Sequence, residues 1–220
     1  MKMTRREFCQ GSTALALTTA VLAGVISPFG LAEQAFAQTP SPAALLEPGA
    51  FEEMTLGKAD APVTIIEYAS LTCPHCANFA TKTFPELKKR YVDTGKVRYI
   101  YREFVLNPLD AAGVMLLRCG DKDKYFPLLE TLFQKQDEWV VQKPLPPLLA
   151  IAKQAGFSED SFNQCLSNQA LLDKIDSTRQ RASEKFGVNS TPTFFINGKI
   201  HRGDMSIEQM AKEIDPHLKG

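Results

Sequence analysis

Residues Leu71 to Ala80 read LTCPHCANFA, two cysteines separated only by Pro74 and His75, in a chain of 220 residues with five cysteines. Such a pair can be a buried staple, half of a metal site, or a dithiol that opens and closes. The flanks narrow the choice. Before it, PVTIIEYAS at 62–70 is a β-branched apolar run with the length of a buried strand. After it, the sequence reads as a helix with Ala77, Ala80, Leu87 and Tyr91 available to pack, and Pro85 is expected to kink or split that helix. Cys73 therefore stands at the N-terminal edge of a helix and Cys76 one turn inside.

At that edge several backbone N–H groups lack carbonyl partners and the helix dipole is positive. A Cys73 thiolate can accept those N–H bonds, while Pro74 occupies a position where its missing donor does no harm. An imidazolium or N–H donor from His75 in the same turn would lower the Cys73 pKa further. A stabilised thiolate is a good leaving group, so the pair reads as an oxidant more than a reductant.

The other readings are weaker. A structural zinc site needs four ligands, and this C-x-x-C stands alone, with only His75, His201 and His217 to help. A bridge across so short a loop removes little unfolded-chain entropy and makes a poor staple. A degenerate, non-catalytic redox fold is the third alternative.

Lys plus Arg and Asp plus Glu each number 25, so no net field draws nucleic acid or an anionic membrane. The cluster Lys88, Lys89, Arg90 suits a solvated helix end. The chain can bury one good core but not two large ones.

Residues 1–37 read as a cleaved signal peptide: a basic start, an uncharged apolar run, then small residues at Ala35 to Ala37. An uncleaved membrane anchor is the alternative. Arg5-Arg6, with Thr4 before and Phe8 after, resembles a twin-arginine signal, favoured over Sec export although Cys9 and Gln10 depart from the usual continuation. Either route leads to the periplasm. Cys9 leaves with the signal, and the four remaining cysteines, Cys73, Cys76, Cys119 and Cys165, form an even set suited to two pairs in an oxidising compartment.

Residues 38–57 are rich in Pro and small residues and read as an N-terminal tether, with a short strand near Met54 to Leu56. Residues 58–105 hold the first strand, the cysteine helix and a second strand, KVRYIYREFVL at 96–106. From Asn107-Pro108, an N-cap followed by Pro at the first helical position, to Phe186 the periodic signals are helical. Residues 187–220 return to strand in TPTFFINGKIHRG, two runs around the hairpin dipeptide Asn197-Gly198, and close with a helix capped by Ser206, Ile207 and Met210 facing inward.

IIEYASLTCPHC, VRYIYREF and VNSTPTFFINGK, with a helical block between the last two, resemble the DsbA family of thiol:disulfide oxidoreductases, including its alphaproteobacterial members. The resemblance implies an α/β thioredoxin fold with an inserted all-helical domain at 106–186. It implies that Cys73 is the exposed nucleophile and Cys76 the buried partner that resolves the mixed disulfide. It implies that Pro192 is cis beside the cysteines, with Thr191 offering its backbone to an extended client; read alone, Pro192 is an ordinary trans proline at a strand start. Glu67 matches an acidic position that shuttles protons for the buried cysteine, and the alternative is an ion pair with Arg98 or Arg102 of the neighbouring strand. Cys119 and Cys165 match a second, structural disulfide found in some members, and two buried free thiols are the alternative.

The expected activity is periplasmic donation of the Cys73–Cys76 disulfide to unfolded exported proteins with free thiols, with reoxidation by a DsbB-type membrane oxidase. No metal or organic cofactor and no nucleic acid is implied. An isomerase or reductase on the same fold is the first alternative; residues 38–57 are too short and Pro-rich for the oligomerisation region of such relatives, so a monomer is expected. A non-catalytic binding protein or chaperone is the second.

Overall fold

The computed structural model describes residues 40–218. The signal segment with Arg5, Arg6 and Cys9 lies outside the described residues. Among the described residues no helix is long and apolar enough to cross a membrane.

The first β-branched run forms β2 (Val63–Ala69), and KVRYIYREFVL forms β3 (Val97–Glu103) parallel to it. A short β1 (Met54–Leu56) pairs antiparallel with β3. The late hairpin, β4 (Thr193–Ile196) and β5 (Lys199–Arg202), adds to β2, giving one sheet in the order β1-β3-β2-β4-β5. Asn197 and Gly198 both take positive φ, 45° and 88°, which the two-residue hairpin turn requires. Asn197 also ties the turn back to β2, accepting the Thr64 N–H on its side-chain oxygen at 2.8 Å.

Strand alternation divides the side chains between two faces. Ile65, Ala69, Tyr99, Tyr101, Phe194 and Ile196 belong to the larger core, under the cysteine helix and the helical block. Ile66, Tyr68, Ile100 and Phe195 face the other way and form a second core with Leu45, Ala182 and Phe186. Both sheet faces are covered, and for that reason β2 and β3 read as nearly continuous apolar runs.

The chain between β2 and β3 stays helical from Pro74 to Val92: α2 (Pro74–Asn78), a π-helical turn Phe79–Thr83, α3 (Phe84–Leu87) and a second π turn Lys88–Val92. Pro85 does not break it. The turn before the proline widens, so that the Phe84 N–H bonds to the carbonyl of Phe79, and this five-residue bonding accommodates a ring that would clash in a regular α-helix.

The insertion runs α4 (Pro108–Cys119), a 3-10 turn Lys122–Lys124, α5 (Tyr125–Gln134), α6 (Gln136–Trp139), α7 (Leu145–Gln154), α8 (Glu159–Leu166) and α9 (Gln169–Phe186). Asn107 caps α4, its side-chain oxygen accepting the Asp110 N–H. Cys119 at the end of α4 and Cys165 in α8 are joined by a disulfide, with Cα atoms 6.1 Å apart. The last helix is α10 (Ile207–Ile214), where Ser206 and Gln209 form a capping box and Met210 is buried, with Ile207 half-buried.

The segment expected as a tether is docked from its first described turn. A short α1 (Pro42–Leu46) buries Leu45 in the second core. Arg102 anchors it, donating to the Leu45 carbonyl (2.7 Å), to Tyr68 Oη (2.6 Å) and to the Glu53 carboxylate. Full burial of one leucine contributes roughly 2 kcal/mol, and the Arg102 bonds add to it.

Candidate active site

Cys73 and Cys76 are free thiols at the start of α2, directly after β2. Cys73 is the N-cap residue with extended backbone, and Pro74 is the first helical residue. Cys76 is wholly buried; Cys73 is 7% exposed. Cys73 is thus the more accessible thiol, yet most of its surface is covered, less open than the exposed nucleophile the resemblance implies. Part of the cover comes from the loop that leads into β4: the Thr191–Pro192 peptide bond is cis, and the Cys73 Sγ–H donates to the Thr191 carbonyl oxygen at 3.4 Å.

The two thiols titrate apart. Hydrogen bonding from the Cys76 thiol, opposed by burial and aided by the Thr191 side chain and the backbone N–H groups of Cys76 and His75, lowers Cys73 from 9.0 to about 5. Burial, reinforced by Cys73 and the Glu67 carboxyl, pushes Cys76 far up. One sulfur is therefore a thiolate near neutrality and the other a proton holder. His75 contributes through its backbone N–H, and its side chain is exposed.

Glu67 is 2% exposed and accepts the Tyr99 hydroxyl. Burial raises its carboxyl from 4.5 to about 8 against the lowering effect of that bond, with Asp204 and Cys73 adding repulsion. The ion pair with Arg98 or Arg102 is not formed, and register shows why. Glu67 lies opposite Tyr101, whereas Tyr68 lies opposite Arg102 and Thr64 opposite Arg98, which places both arginines on the other face of the sheet. Arg102 pairs there with Glu53 at 3.0 Å. A cavity of ≈ 410 Å³, lined by Glu67, Tyr99, Tyr101, Lys88 and Glu130 among others, reaches from the buried carboxyl to the exposed Glu130.

Several residues around the cysteines were not singled out by sequence patterns. Tyr99 is one; its position in VRYIYREF marks only a strand. Asp110, fully buried, accepts the Leu71 N–H and the Leu106 N–H, both at 2.9 Å. Gln136 donates to the carbonyls of Leu71 and Cys73 at 2.8 and 3.0 Å. Leu106 is a local partner of Asp110, but Leu71 and Cys73 lie 39 to 65 residues from Asp110 and Gln136 in sequence, and no local signal reports those contacts. Among the described residues no three His, Cys, Asp or Glu side chains gather as a metal site would require.

A parallel strand pair carrying C-x-x-C at its helix start, faced by a cis-proline loop and interrupted by a helical block, defines a thioredoxin-type redox site. The thioredoxin family profile matches residues 50–216. The crystal structure of alpha-DsbA1 from Wolbachia pipientis superposes with a TM-score of 0.73 at 34% identity, covering 81% of this chain and 96% of that one. The chain belongs to the DsbA family of thioredoxin-fold proteins. A Rickettsia conorii protein named as a protein-disulfide oxidoreductase is 34% identical over 169 residues, 76% of this chain and 61% of that protein. This chain therefore spans about three fifths of the length of that relative. BdbD of Bacillus subtilis, at 24% identity and a TM-score of 0.68, covers 76% of this chain and 94% of its own and shares the fold.

Proposed function

We propose that this protein is a thiol:disulfide oxidoreductase that donates the Cys73–Cys76 disulfide to unfolded exported proteins in the periplasm. The observation that carries the reading is the division between the two sulfurs, Cys73 held low at a helix start and Cys76 pushed up by burial. A client thiolate attacks Cys73 Sγ; the Cys73–Cys76 bond breaks, and its electron pair leaves on Cys76 Sγ. Glu67, protonated near neutrality, supplies the proton that Cys76 takes up. A second client thiolate then attacks the client sulfur of the mixed disulfide, and Cys73 departs as the stabilised thiolate. The client gains a disulfide, and the protein holds two reduced sulfurs.

In this reading Thr191 presents its carbonyl to the extended client beside Cys73, and the Cys119–Cys165 bridge is structural. Reoxidation falls to a membrane oxidase of the DsbB type. The protein works as a monomer after export and removal of residues 1–37, with the twin-arginine route favoured by Arg5 and Arg6.

The test is oxidation of a reduced, unfolded two-cysteine client by the preoxidised mature protein. Wild type should form the client disulfide stoichiometrically and fast. Cys73→Ser should reduce the rate to that of the uncatalysed reaction with the fold intact, and Cys76→Ala, which has no active-site disulfide to donate, should do the same. Undiminished client oxidation by Cys73→Ser would reject the proposal.

A further inference from the structure

Three consecutive residues of the active-site loop, Leu71, Thr72 and Cys73, are each held by a side chain from the helical block. Leu71 is held at both ends of its backbone: its N–H donates to Asp110 Oδ1 at 2.9 Å, and its carbonyl accepts from Gln136 Nε2 at 2.8 Å. Thr72 Oγ1 accepts from Asn107 Nδ2 at 2.8 Å. The Cys73 carbonyl accepts the second proton of Gln136 Nε2 at 3.0 Å. Asn107 and Asp110 are themselves locked together, since the Asn107 side-chain oxygen accepts the Asp110 N–H at 2.9 Å.

Asp110 makes this more than ordinary packing. It is 0% exposed, and its carboxyl forms no ion pair among the described residues. Its two oxygens take the N–H groups of Leu71 and Leu106, one on each side of the seam between the cysteine loop and α4. Enclosing a carboxyl without a cation is unfavourable, and a core aliphatic would fill the same space. What it adds is a fixed position for Leu71, two residues before the nucleophile.

We propose that Asn107, Asp110 and Gln136 form a clamp through which the helical block positions Cys73 and sets the reactivity of its sulfur. They are positioning residues, since none touches the sulfur. This inference rests on the redox role given to Cys73 above. The two parts of the clamp act on the sulfur differently. The Gln136 amide brings the positive ends of its N–H bonds to the Cys73 peptide and favours the thiolate. Burial, with repulsion from Cys73 a lesser influence, raises the Asp110 carboxyl to about 6, so Asp110 is largely neutral where Cys73 titrates and acts by holding Leu71 in place. A contact that only staples the helical block to the sheet would leave the Cys73 titration unchanged.

The experiment is titration of the Cys73 thiolate by its ultraviolet absorbance in the reduced mature protein, with thermal unfolding recorded in parallel. Gln136→Leu, which removes both donors at similar volume, should raise the Cys73 midpoint by about half a unit. Gln136→Glu, which keeps the shape and reverses the charge, should raise it by about one unit, about a tenfold loss in the thiolate-to-thiol ratio at fixed pH. Asp110→Asn, which removes little charge in the range where Cys73 titrates, should leave it nearly unchanged. Gln136 is only half-buried, so its variants keep the test decisive even if Asp110→Asn fails to fold. An unchanged midpoint in folded Gln136→Glu overturns the clamp, whatever happens to the melting temperature. The titration needs no client, so a wild-type protein that fails to oxidise clients counts against the proposed function and leaves this test intact.

Discussion

The Tyr99 hydroxyl donates to the carboxyl of Glu67 across the β2–β3 pair, inside the core and on the face of the sheet that carries the cysteine helix. This bond opposes the effect of burial on Glu67. Tyr99→Phe should therefore move the Glu67 titration above about 8 and shift upward, by the same amount, any step in exchange kinetics that depends on it. It should also destabilise the protein by about 1–3 kcal/mol, because a buried carboxyl loses its partner. Urea unfolding and the pH profile of client oxidation measure the two effects separately.

Glu67 also gives stability a pH slope. Its folded pKa is raised, so between 4.5 and about 8 the folded state holds a proton that the unfolded chain has released. Stability from this group is full below 4.5 and falls as pH rises through about 8, at up to ~1.4 kcal/mol per pH unit. Glu67→Gln should flatten that slope and leave the variant more stable than wild type at pH 8. Unfolding midpoints across this range decide it; parallel slopes in the two proteins would contradict the assignment.

Cys73 produces the opposite slope, and only in the reduced protein. Its folded pKa is depressed from 9.0 to about 5. The stability it contributes is complete above 9 and is lost as pH falls toward 5, at no more than ~1.4 kcal/mol per pH unit and less where solvent screens the thiolate. Reduced protein should exceed oxidised protein in stability at pH 8, and the gap should narrow by pH 5. Comparing the two redox forms removes most of the Glu67 contribution, which differs between them only by the repulsion that reduced Cys73 adds.

Much of this architecture was legible before any coordinates. Asn197-Gly198 announced the hairpin because few other dipeptides accept positive φ twice, and CPHC between strand and helix announced the site because helix ends stabilise anions. The partner of Glu67 was harder. The competing ion pair with Arg98 or Arg102 weighed charge without parity; the parallel register turns both arginines to the far face, where Arg102 fixes residues 42–56. Gln136 was illegible for a different reason: it sits on a four-residue helix, α6, with no periodic signal, and its contacts arise only when the helical block folds against the loop.

The Cys119–Cys165 bridge closes a separation of 46 residues. In the chain-entropy account such a loop stabilises by about 4 kcal/mol. The double variant Cys119→Ala/Cys165→Ala should lose stability of that order in urea while keeping the Cys73 titration, since the bridge joins α4 to α8 and includes neither active-site sulfur.

The central claim is that the protein favours the reduced pair and so gives its disulfide away. Its most direct test is the reduction potential of Cys73/Cys76 in the mature protein, equilibrated against glutathione buffers. A value of about −120 mV, the figure for the strong oxidant DsbA, is the result this account predicts. A value near about −270 mV, as in thioredoxin, would mean that the oxidised pair is preferred and would contradict it.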